Sequence, residues 1–123
     1  MATKTILKKT QTEAVVKVVG SGAVTVSLAE LAITGETVLN PKVDIHQARW
    51  SGAAADTAIV VRGGVDILRL TGSGDWEFNG YNINEQNTGD LTITLSANTT
   101  AIITLRKVAG YTIAHRSYLT GGA

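Results

Sequence analysis

Four glycines lie close together in the stretch TAIVVRGGVDILRLTGSGDW, residues 57–76: Gly63, Gly64, Gly72 and Gly74. A phosphate-binding loop has a similar density of glycine, but a lysine and a hydroxyl residue must follow its second glycine at the start of a helix. Gly74 is followed instead by DWEF, whose carboxylates would repel a phosphate. A dinucleotide-binding fingerprint is excluded as well, because no helical pattern follows the glycines. We therefore interpret these glycines as turn residues.

Two histidines and two carboxylates are the remaining candidates for metal or acid–base chemistry. His46 and His115 lie far apart and lack the i, i+4 spacing of a metal-binding helix. His46 shares a strand face with Asp44, but a histidine at a surface or interface is the favoured interpretation. Asp75 and Glu77 have the spacing that places two carboxylates on one strand face, where they could bind calcium or transfer protons, although solvated acids are favoured. Since no serine lies in a G-x-S-x-G motif either, the sequence predicts no catalytic residue, metal or cofactor.

Four of the few aromatic residues are candidates for a recognition surface: Trp50, Trp76, Phe78 and Tyr81. Tryptophans displayed on a β-sheet can stack on sugar rings, which would indicate a carbohydrate-binding module. Aromatic side chains also contribute a large buried area to a core. We favour core or subunit contacts for these residues and keep sugar binding as the alternative.

Basic residues are the candidates for contact with a partner. Lys4, Lys8 and Lys9 could reach phosphates or an acidic protein surface, but three charges make a weak electrostatic footprint. With Ile6 and Leu7 among them, an arm that lies on a neighbouring subunit is an equally good interpretation. The predicted partner-contact residues are Lys4, Lys8, Lys9, Arg62, Arg69, Trp50 and Trp76.

The composition predicts one soluble, all-β domain. The 123 residues suit a single domain, and the absence of cysteine excludes disulfides and thiolate zinc sites. With 11 basic and 10 acidic residues the net charge is +1, so nucleic acid is not a predicted partner. No apolar run is long enough to span a bilayer and the N-terminal sequence is a poor signal peptide, so no membrane is predicted either. Abundant valine, isoleucine, threonine and glycine favour strands and turns.

Alternating apolar residues predict the strands. Residues 13–20 and 23–28 are expected to form a hairpin around Ser21–Gly22, and the spacing of Ser27 and Glu30 suits either one helical turn or a continued strand. Residues 43–52 are expected to form a long strand. A further hairpin is expected to turn around Asn98–Thr100, with these side chains pointing inward: Leu91, Ile93, Leu95, Ala101, Ile103 and Leu105.

The pair Gly63–Gly64 is expected to close a hairpin through a primed turn, in which both residues have positive φ. Val61 would then lie opposite Asp66, and Ile59 opposite Leu68. One face would carry Ile59, Val61, Leu68 and Leu70, and the other would carry Val60, Val65 and Ile67 with Arg62 and Arg69. The second face is apolar enough to require a partial cover, which makes its arginines predicted contacts.

Strands of this length, separated by turns, predict an antiparallel β-sandwich, jelly-roll-like, with an extended N-terminal arm. The predicted boundaries are residues 1–12 for the arm, 13–111 for the β-sandwich domain and 112–123 for a C-terminal tail.

Framework features between Ile45 and Tyr111 suggest a family: Trp50, the turn Arg62–Gly63–Gly64, the run Gly72–Ser73–Gly74 that leads into Trp76, and the closing Leu105–Arg106–Lys107. In these features the chain resembles small virion structural proteins of tailed bacteriophages, especially phages of marine bacteria and cyanobacteria. The resemblance implies a non-enzymatic decoration (cement) protein, made in the host cytoplasm and located on the capsid surface of the virion. The alternatives are a tail, neck or baseplate protein and a carbohydrate- or receptor-binding module. The resemblance also implies a homo-oligomer, dimer or trimer, that binds the major capsid protein or other virion proteins.

Overall fold

The computed structural model describes residues 2–77 and 82–113, which form an antiparallel β-sheet with one short 3-10 helix. The elements are β1 (Thr3–Lys9), β2 (Glu13–Val26), the 3-10 helix (Leu28–Leu31), β3 (Glu36–Ser51), β4 (Thr57–Arg62), β5 (Val65–Thr71), β6 (Gly74–Glu77) and β7 (Leu91–Ile113). The predicted all-β, antiparallel class is confirmed. Strand β7 runs past the predicted start of the C-terminal tail to Ile113, and residues 114–123 lie outside the described residues.

Strand β7 is the centre of the sheet. It pairs with β2 along one edge, while its other edge pairs with β4 through residues 91–95 and with β3 through residues 100–113. Strands β1, β6 and β5 lie outside β2, β3 and β4 respectively. All of these pairings belong to one open sheet, so the predicted jelly-roll sandwich is not confirmed.

The pairing between β2 and β7 is interrupted by a bulge near Ser21. The register moves from Gly20 opposite Thr99 to Gly22 opposite Leu95, so residues 96–98 of β7 face only Ser21. Gly20 and Gly22 have φ of 116° and 103°, which glycine adopts without a steric penalty. The predicted turns at Ser21–Gly22 and Asn98–Thr100 are therefore wrong, because the polar residues lie in a bulge that interrupts the pairing without reversing the chain.

The hydrophobic core covers one side of the sheet, which we call the inner face. Along β7 all of the side chains predicted to point inward, from Leu91 to Leu105, are buried, and Thr99, Lys107 and Ile113 are buried as well. The side chains predicted to point inward form one cluster with the other buried side chains: Ala14, Val16, Val18, Val26, Leu28, Leu31, Val43, Ile45, Ala48, Ala58, Val60, Leu68 and Leu70. The opposite side, the outer face, carries mostly threonine, valine and charged residues that are half-buried or exposed.

The N-terminal segment is an edge strand, which corrects the predicted extended arm. Strand β1 pairs with β2 from Thr3 opposite Val19 to Lys9 opposite Ala14, with a bulge at Leu7. The connection is a tight turn in which the Thr10 hydroxyl accepts hydrogen bonds from the backbone N–H groups of residues 12 and 13. The segment folds back because its side chains alternate as those of a strand do, which the lysines obscure in the sequence.

The β4–β5 hairpin has the predicted turn but not the predicted faces. Gly63 and Gly64 have φ of 57° and 78°, and Val61 lies opposite Asp66 as expected. A bulge at Ile67 then shifts the register by one residue. Because a shift of one residue exchanges the two faces, the face that packs with Leu68 and Leu70 carries Ala58, Val60 and Arg62, whereas the predicted Ile59 and Val61 lie on the outer face.

After β2 the chain forms the one helical turn that was predicted as an alternative to a continued strand. The Ser27 hydroxyl accepts a hydrogen bond from the Glu30 backbone N–H at 3.3 Å, and Ser27 N–H donates to Glu30 Oε2 at 2.9 Å. This reciprocal capping box begins the helix that buries Leu28 and Leu31.

Candidate functional site

Arg62 lies in the core rather than on a contact surface. Its side chain is fully buried, and the guanidinium donates to the carbonyl oxygens of Val43, Asn87 (3.0 Å) and Gly89 (2.9 Å). The prediction that Arg62 contacts a partner is wrong, because the bulge at Ile67 turns this end of the hairpin inward. Arg62 instead ties the segment 82–90 to β3 and β4.

Carboxylates near Arg62 offset the cost of burying its charge. Burial lowers the pKa of Arg62, whereas the negative charges of Asp44 and Asp90 act in the opposite direction. Asp44 is nearly buried and accepts a hydrogen bond from the Asn87 side chain at 3.1 Å. Asp90 accepts from the backbone N–H of Leu28 at 2.9 Å. The charges around Arg62 are therefore engaged with neighbouring backbone and side-chain groups.

A second buried charge lies near the end of β7. Lys107 Nζ is 2.6 Å from Glu36 Oε1, and the side chains are 0% and 1% exposed. Lys107 also donates to the carbonyl oxygen of Thr10 at 2.7 Å, and its ammonium lies 4.4 Å from the centre of the Tyr111 ring. Glu36 Oε1 accepts the backbone N–H of Ile33 at 2.8 Å, while Glu36 Oε2 is buried without a hydrogen-bond partner.

The pair of Lys107 and Glu36 was not predicted from the sequence. One signal was present, because the alternation of β7 that buries Ile103 and Leu105 also directs Lys107 inward. A buried lysine requires a partner. Its carboxylate lies 71 positions away on another strand, so the sequence spacing could not identify it.

Tyr111 belongs to the same cluster of polar side chains as Lys107 and Glu36. Its hydroxyl donates to the carbonyl oxygen of Leu28 in the 3-10 helix. Burial raises the pKa of Tyr111 to about 12, and the negative charge of Glu36 acts in the same direction. Tyr111 therefore remains neutral at physiological pH and holds the end of β7 against the helix.

The predicted contact lysines of β1 bind groups within the chain. Lys4 Nζ donates to Glu30 Oε2 at 2.7 Å and to the Thr25 carbonyl at 2.6 Å, and Lys9 Nζ donates to the Ala32 carbonyl at 3.1 Å. Lys8 forms an exposed ion pair with Glu13 at 3.0 Å. Two of the three lysines thus bridge β1 to the end of β2 and to the 3-10 helix, and their contact with a partner remains a prediction.

The environment of Glu30 is set by these bridges. Burial acts to raise the pKa of Glu30, but hydrogen bonds from Lys4 and from Ser27 outweigh it, so that its pKa is lowered. The carboxylate is therefore ionised at neutral pH and holds Lys4 in place.

Trp50 belongs to the framework. Its indole N–H donates to the Thr71 carbonyl at 3.0 Å, and its ring lies so close to Gly74 that a Cβ there would be 2.7 Å from Cζ2. Trp50 packs against the core, as favoured from the sequence. Trp76 lies on β6 opposite Ala48 and is 48% exposed. Phe78 and Tyr81 lie outside the described residues.

A shallow pocket lies next to Trp50. Its volume is about 120 Å³, and its walls are formed by Arg49, Trp50, Ser51, Thr100 and Ile102. Arg49 Nε is also 3.5 Å from Asp75 Oδ2, between exposed side chains. The pocket is largely apolar and open to solvent.

The remaining titratable candidates do not form a catalytic constellation within residues 2–77 and 82–113. His46 Nδ1 is 2.7 Å from the Asn82 side-chain oxygen, and His115 lies outside the described residues. In the described part of the chain, no three histidine, aspartate or glutamate side chains are grouped as metal ligands. Arg69 is exposed and pairs with Asp66 at 3.0 Å.

Comparison with known proteins adds no relative. No protein-family model matches this chain, and a comparison with curated proteins finds no match. Among the described residues, no helix is long and apolar enough to cross a membrane.

Proposed function

We propose that the chain is a non-enzymatic structural protein of a tailed-phage virion, and that it decorates the outside of the capsid. Residues Ile45 to Tyr111 resemble small virion structural proteins of tailed bacteriophages, and this resemblance suggests the function. Several of its residues brace the fold: Trp50 packs over Gly74, and Lys107 pairs with Glu36. A passive binding protein requires a stiff framework of this kind.

The main support for this function is that several charged side chains bind groups of the same chain and hold the fold together. Arg62 binds three backbone carbonyls, and Lys107 pairs with a buried carboxylate and a backbone carbonyl. Lys4 and Lys9 bind the helix region of the same chain. These groups act as internal braces of a small sheet, which supports a mechanical role better than a chemical one.

A decoration protein acts through repeated contacts. Each copy binds where capsid subunits meet, so that expansion of the shell must break additional protein–protein contacts. Many weak contacts act together because the shell presents identical sites in a fixed arrangement. The outer face of the sheet, with its half-buried and exposed threonine and valine side chains, offers a surface for such contacts.

Particles from which this chain has been deleted provide the test. Purified chain added to such particles should bind until every site is occupied and should raise the temperature at which they release DNA. Mass spectrometry of complete particles should find hundreds of copies. A handful of copies would indicate a tail, neck or baseplate protein instead, and absence from the particles would overturn the proposal.

A receptor- or carbohydrate-binding function is the second candidate, favoured by the exposure of the Trp76 side chain. A glycan array should then detect a sugar whose binding is lost in Trp76→Ala. Leu39→Ala is the control, because Leu39 is exposed on another part of β3. Equal binding by both variants, or none by the unmodified chain, would exclude this candidate.

A further inference from the structure

The ion pair of Lys107 and Glu36 brings an amine nitrogen and a carboxyl carbon within reach of each other. Lys107 Nζ is 2.6 Å from Glu36 Oε1, and the carboxyl carbon, Cδ, is one C–O bond away from that oxygen. The nitrogen therefore lies less than about 4 Å from Cδ, close to the separation from which a positioned pair reacts. Two groups held in this way react as parts of one molecule, at an effective concentration far above that of free groups.

The hydrogen bonds around the pair fit an amide better than they fit two ions. Glu36 Oε1 accepts the backbone N–H of Ile33 at 2.8 Å, and Lys107 Nζ donates to the Thr10 carbonyl at 2.7 Å. An amide between the two side chains keeps both bonds, one at its oxygen and one at its N–H. The second carboxylate oxygen, Glu36 Oε2, is buried and has no hydrogen-bond partner among the described residues. Because an unpaired buried oxygen is unfavourable, the loss of Oε2 as water stabilises the site.

We propose that Lys107 and Glu36 condense after folding into an amide, an isopeptide bond that joins β7 to β3 and releases one water molecule. The bond links two positions that are 71 residues apart in the sequence. The ion pair is the reactant, and it persists in every molecule that has not yet condensed. This inference goes beyond the proposed function and does not rest on it, because the reaction needs only the folded chain.

Proton transfer within the pair starts the reaction. One proton moves from Nζ to Oε1 along the 2.6 Å hydrogen bond. This transfer replaces two buried charges with a neutral amine and a neutral carboxylic acid, which a site without water favours. The nitrogen lone pair then attacks Cδ, the C–N bond forms, and the electrons of the C=O bond move to Oε2.

The release of water completes the reaction. A second proton moves from the nitrogen to Oε2, so that Cδ carries two hydroxyl groups. The C–Oε2 bond breaks, and Oε2 departs as water together with the proton of Oε1. The C=O bond forms again at Oε1, where the Ile33 N–H stabilises it. Lys107 loses two protons and Glu36 loses one oxygen, so no oxidant, reductant or further reactant is required.

A second ion pair in the chain separates the effect of proximity from that of burial. Lys4 Nζ is 2.7 Å from Glu30 Oε2, but these side chains are 31% and 27% exposed, whereas those of Lys107 and Glu36 are 0% and 1% exposed. Water stabilises both charges of the exposed pair, so the lysine keeps the proton that must leave before its nitrogen can attack. We therefore expect an amide between Lys107 and Glu36 and none between Lys4 and Glu30.

Mass spectrometry of the full chain, kept folded until its mass is constant and then unfolded, tests the bond. The unmodified chain should be lighter than its sequence predicts by one water molecule. Trypsin does not cleave after a lysine whose side chain is an amide, so residues 18–42 and 107–116 should appear as one linked product. Fragmentation of this product should place the link at Glu36 rather than at Glu30, which lies in the same peptide.

Lys107→Arg should have the full mass of its own sequence, because a guanidinium keeps its charge and does not attack a carboxyl carbon. The matched control is Lys4→Arg, which alters the exposed pair and should still lose one water molecule. The linked product comes from the unmodified chain, so its detection does not depend on the folding of any variant. The proposal is overturned if the unmodified chain keeps its full mass, if the linked product lacks Lys107 or Glu36, or if Lys107→Arg loses water as well.

Discussion

Lys107 and Glu36 form an ion pair from which water is excluded on both sides, with 2.6 Å between Nζ and Oε1. The pair joins β7 to β3 at the end of the sheet where the 3-10 helix packs. An isolated charge in this position would be very unfavourable, so each residue explains the presence of the other.

Removal of one partner should cost far more than removal of both. Lys107→Met and Glu36→Leu should each lower the free energy of unfolding by about 3–5 kcal/mol, because each leaves the other partner buried without its counter-group. The double variant Lys107→Met/Glu36→Leu should lose less than the sum of the single losses, since two apolar side chains then fill the site.

Urea unfolding followed by circular dichroism measures this double-mutant cycle. The matched control is the exposed pair of Lys8 and Glu13, whose corresponding substitutions should cost less than about 1 kcal/mol. Additive losses at Lys107 and Glu36 would show that the two side chains do not stabilise each other.

The two arginines Arg62 and Arg49 should differ sharply in their contribution to stability. Arg62→Met removes three buried hydrogen bonds to backbone carbonyls and should cost about 3 kcal/mol or more. Arg49→Met removes an exposed side chain and should change stability by less than about 0.5 kcal/mol.

Hydrogen exchange distinguishes a local from a global effect of Arg62→Met. The Val43 amide donates to the Asn87 carbonyl at 2.9 Å and should exchange faster than in the unmodified chain, because Arg62 holds the segment 82–90 in place. Unchanged exchange at Val43 would contradict this role.

The features that the sequence predicts correctly are local ones. The primed turn at Gly63–Gly64 follows from a property of glycine itself, its tolerance of positive φ. The inward side chains of β7 follow from strict alternation. Both features are encoded within a few neighbouring residues.

The features that the sequence does not predict depend on distant partners. The bulge at Ile67 shifts the register between β4 and β5 by one residue. Val60 and Arg62 therefore lie on the same face as Leu68, in the core, instead of the predicted Ile59 and Val61. The polar residues 96–98 suit a turn as well as a bulge, and only the pairing of β7 with β2 decides between them. In the sequence Lys4 and Lys9 have the pattern of a solvated basic arm. Their acceptors, Glu30 and the Ala32 carbonyl, lie more than 20 positions away and are brought near them only by the fold.

Gly74 should tolerate no side chain while Trp50 is present. Gly74→Ala places a Cβ 2.7 Å from the indole, and because the ring is held by the Thr71 carbonyl, we expect a loss of about 1–3 kcal/mol. In a Trp50→Ala background the same substitution should cost almost nothing.

The coupling between Trp50 and Gly74 is measured by urea unfolding of the four combinations. Gly64→Ala is a control in both backgrounds, because residue 64 has φ of 78° with open space around it. Its cost should be independent of Trp50. Equal losses for Gly74→Ala in both backgrounds would contradict the steric explanation.

Tyr111 should make the stability of the fold depend on alkaline pH. Its pKa is raised from 10.0 to about 12, because burial, and secondarily the charge of Glu36, disfavour the phenolate. The folded state thus prefers the neutral phenol more strongly than the unfolded chain does. The resulting stabilisation is fully present below pH 10 and is lost as the pH rises from 10 towards 12.

Tyr111→Phe should separate this effect from the hydrogen bond of the hydroxyl. At neutral pH the variant loses the bond to the Leu28 carbonyl, which costs about 1 kcal/mol. Between pH 10 and 12 its free energy of unfolding should fall less steeply than that of the unmodified chain, so the two curves converge. Urea unfolding across this range measures both curves, and parallel curves would show that Tyr111 ionises as readily in the folded as in the unfolded state.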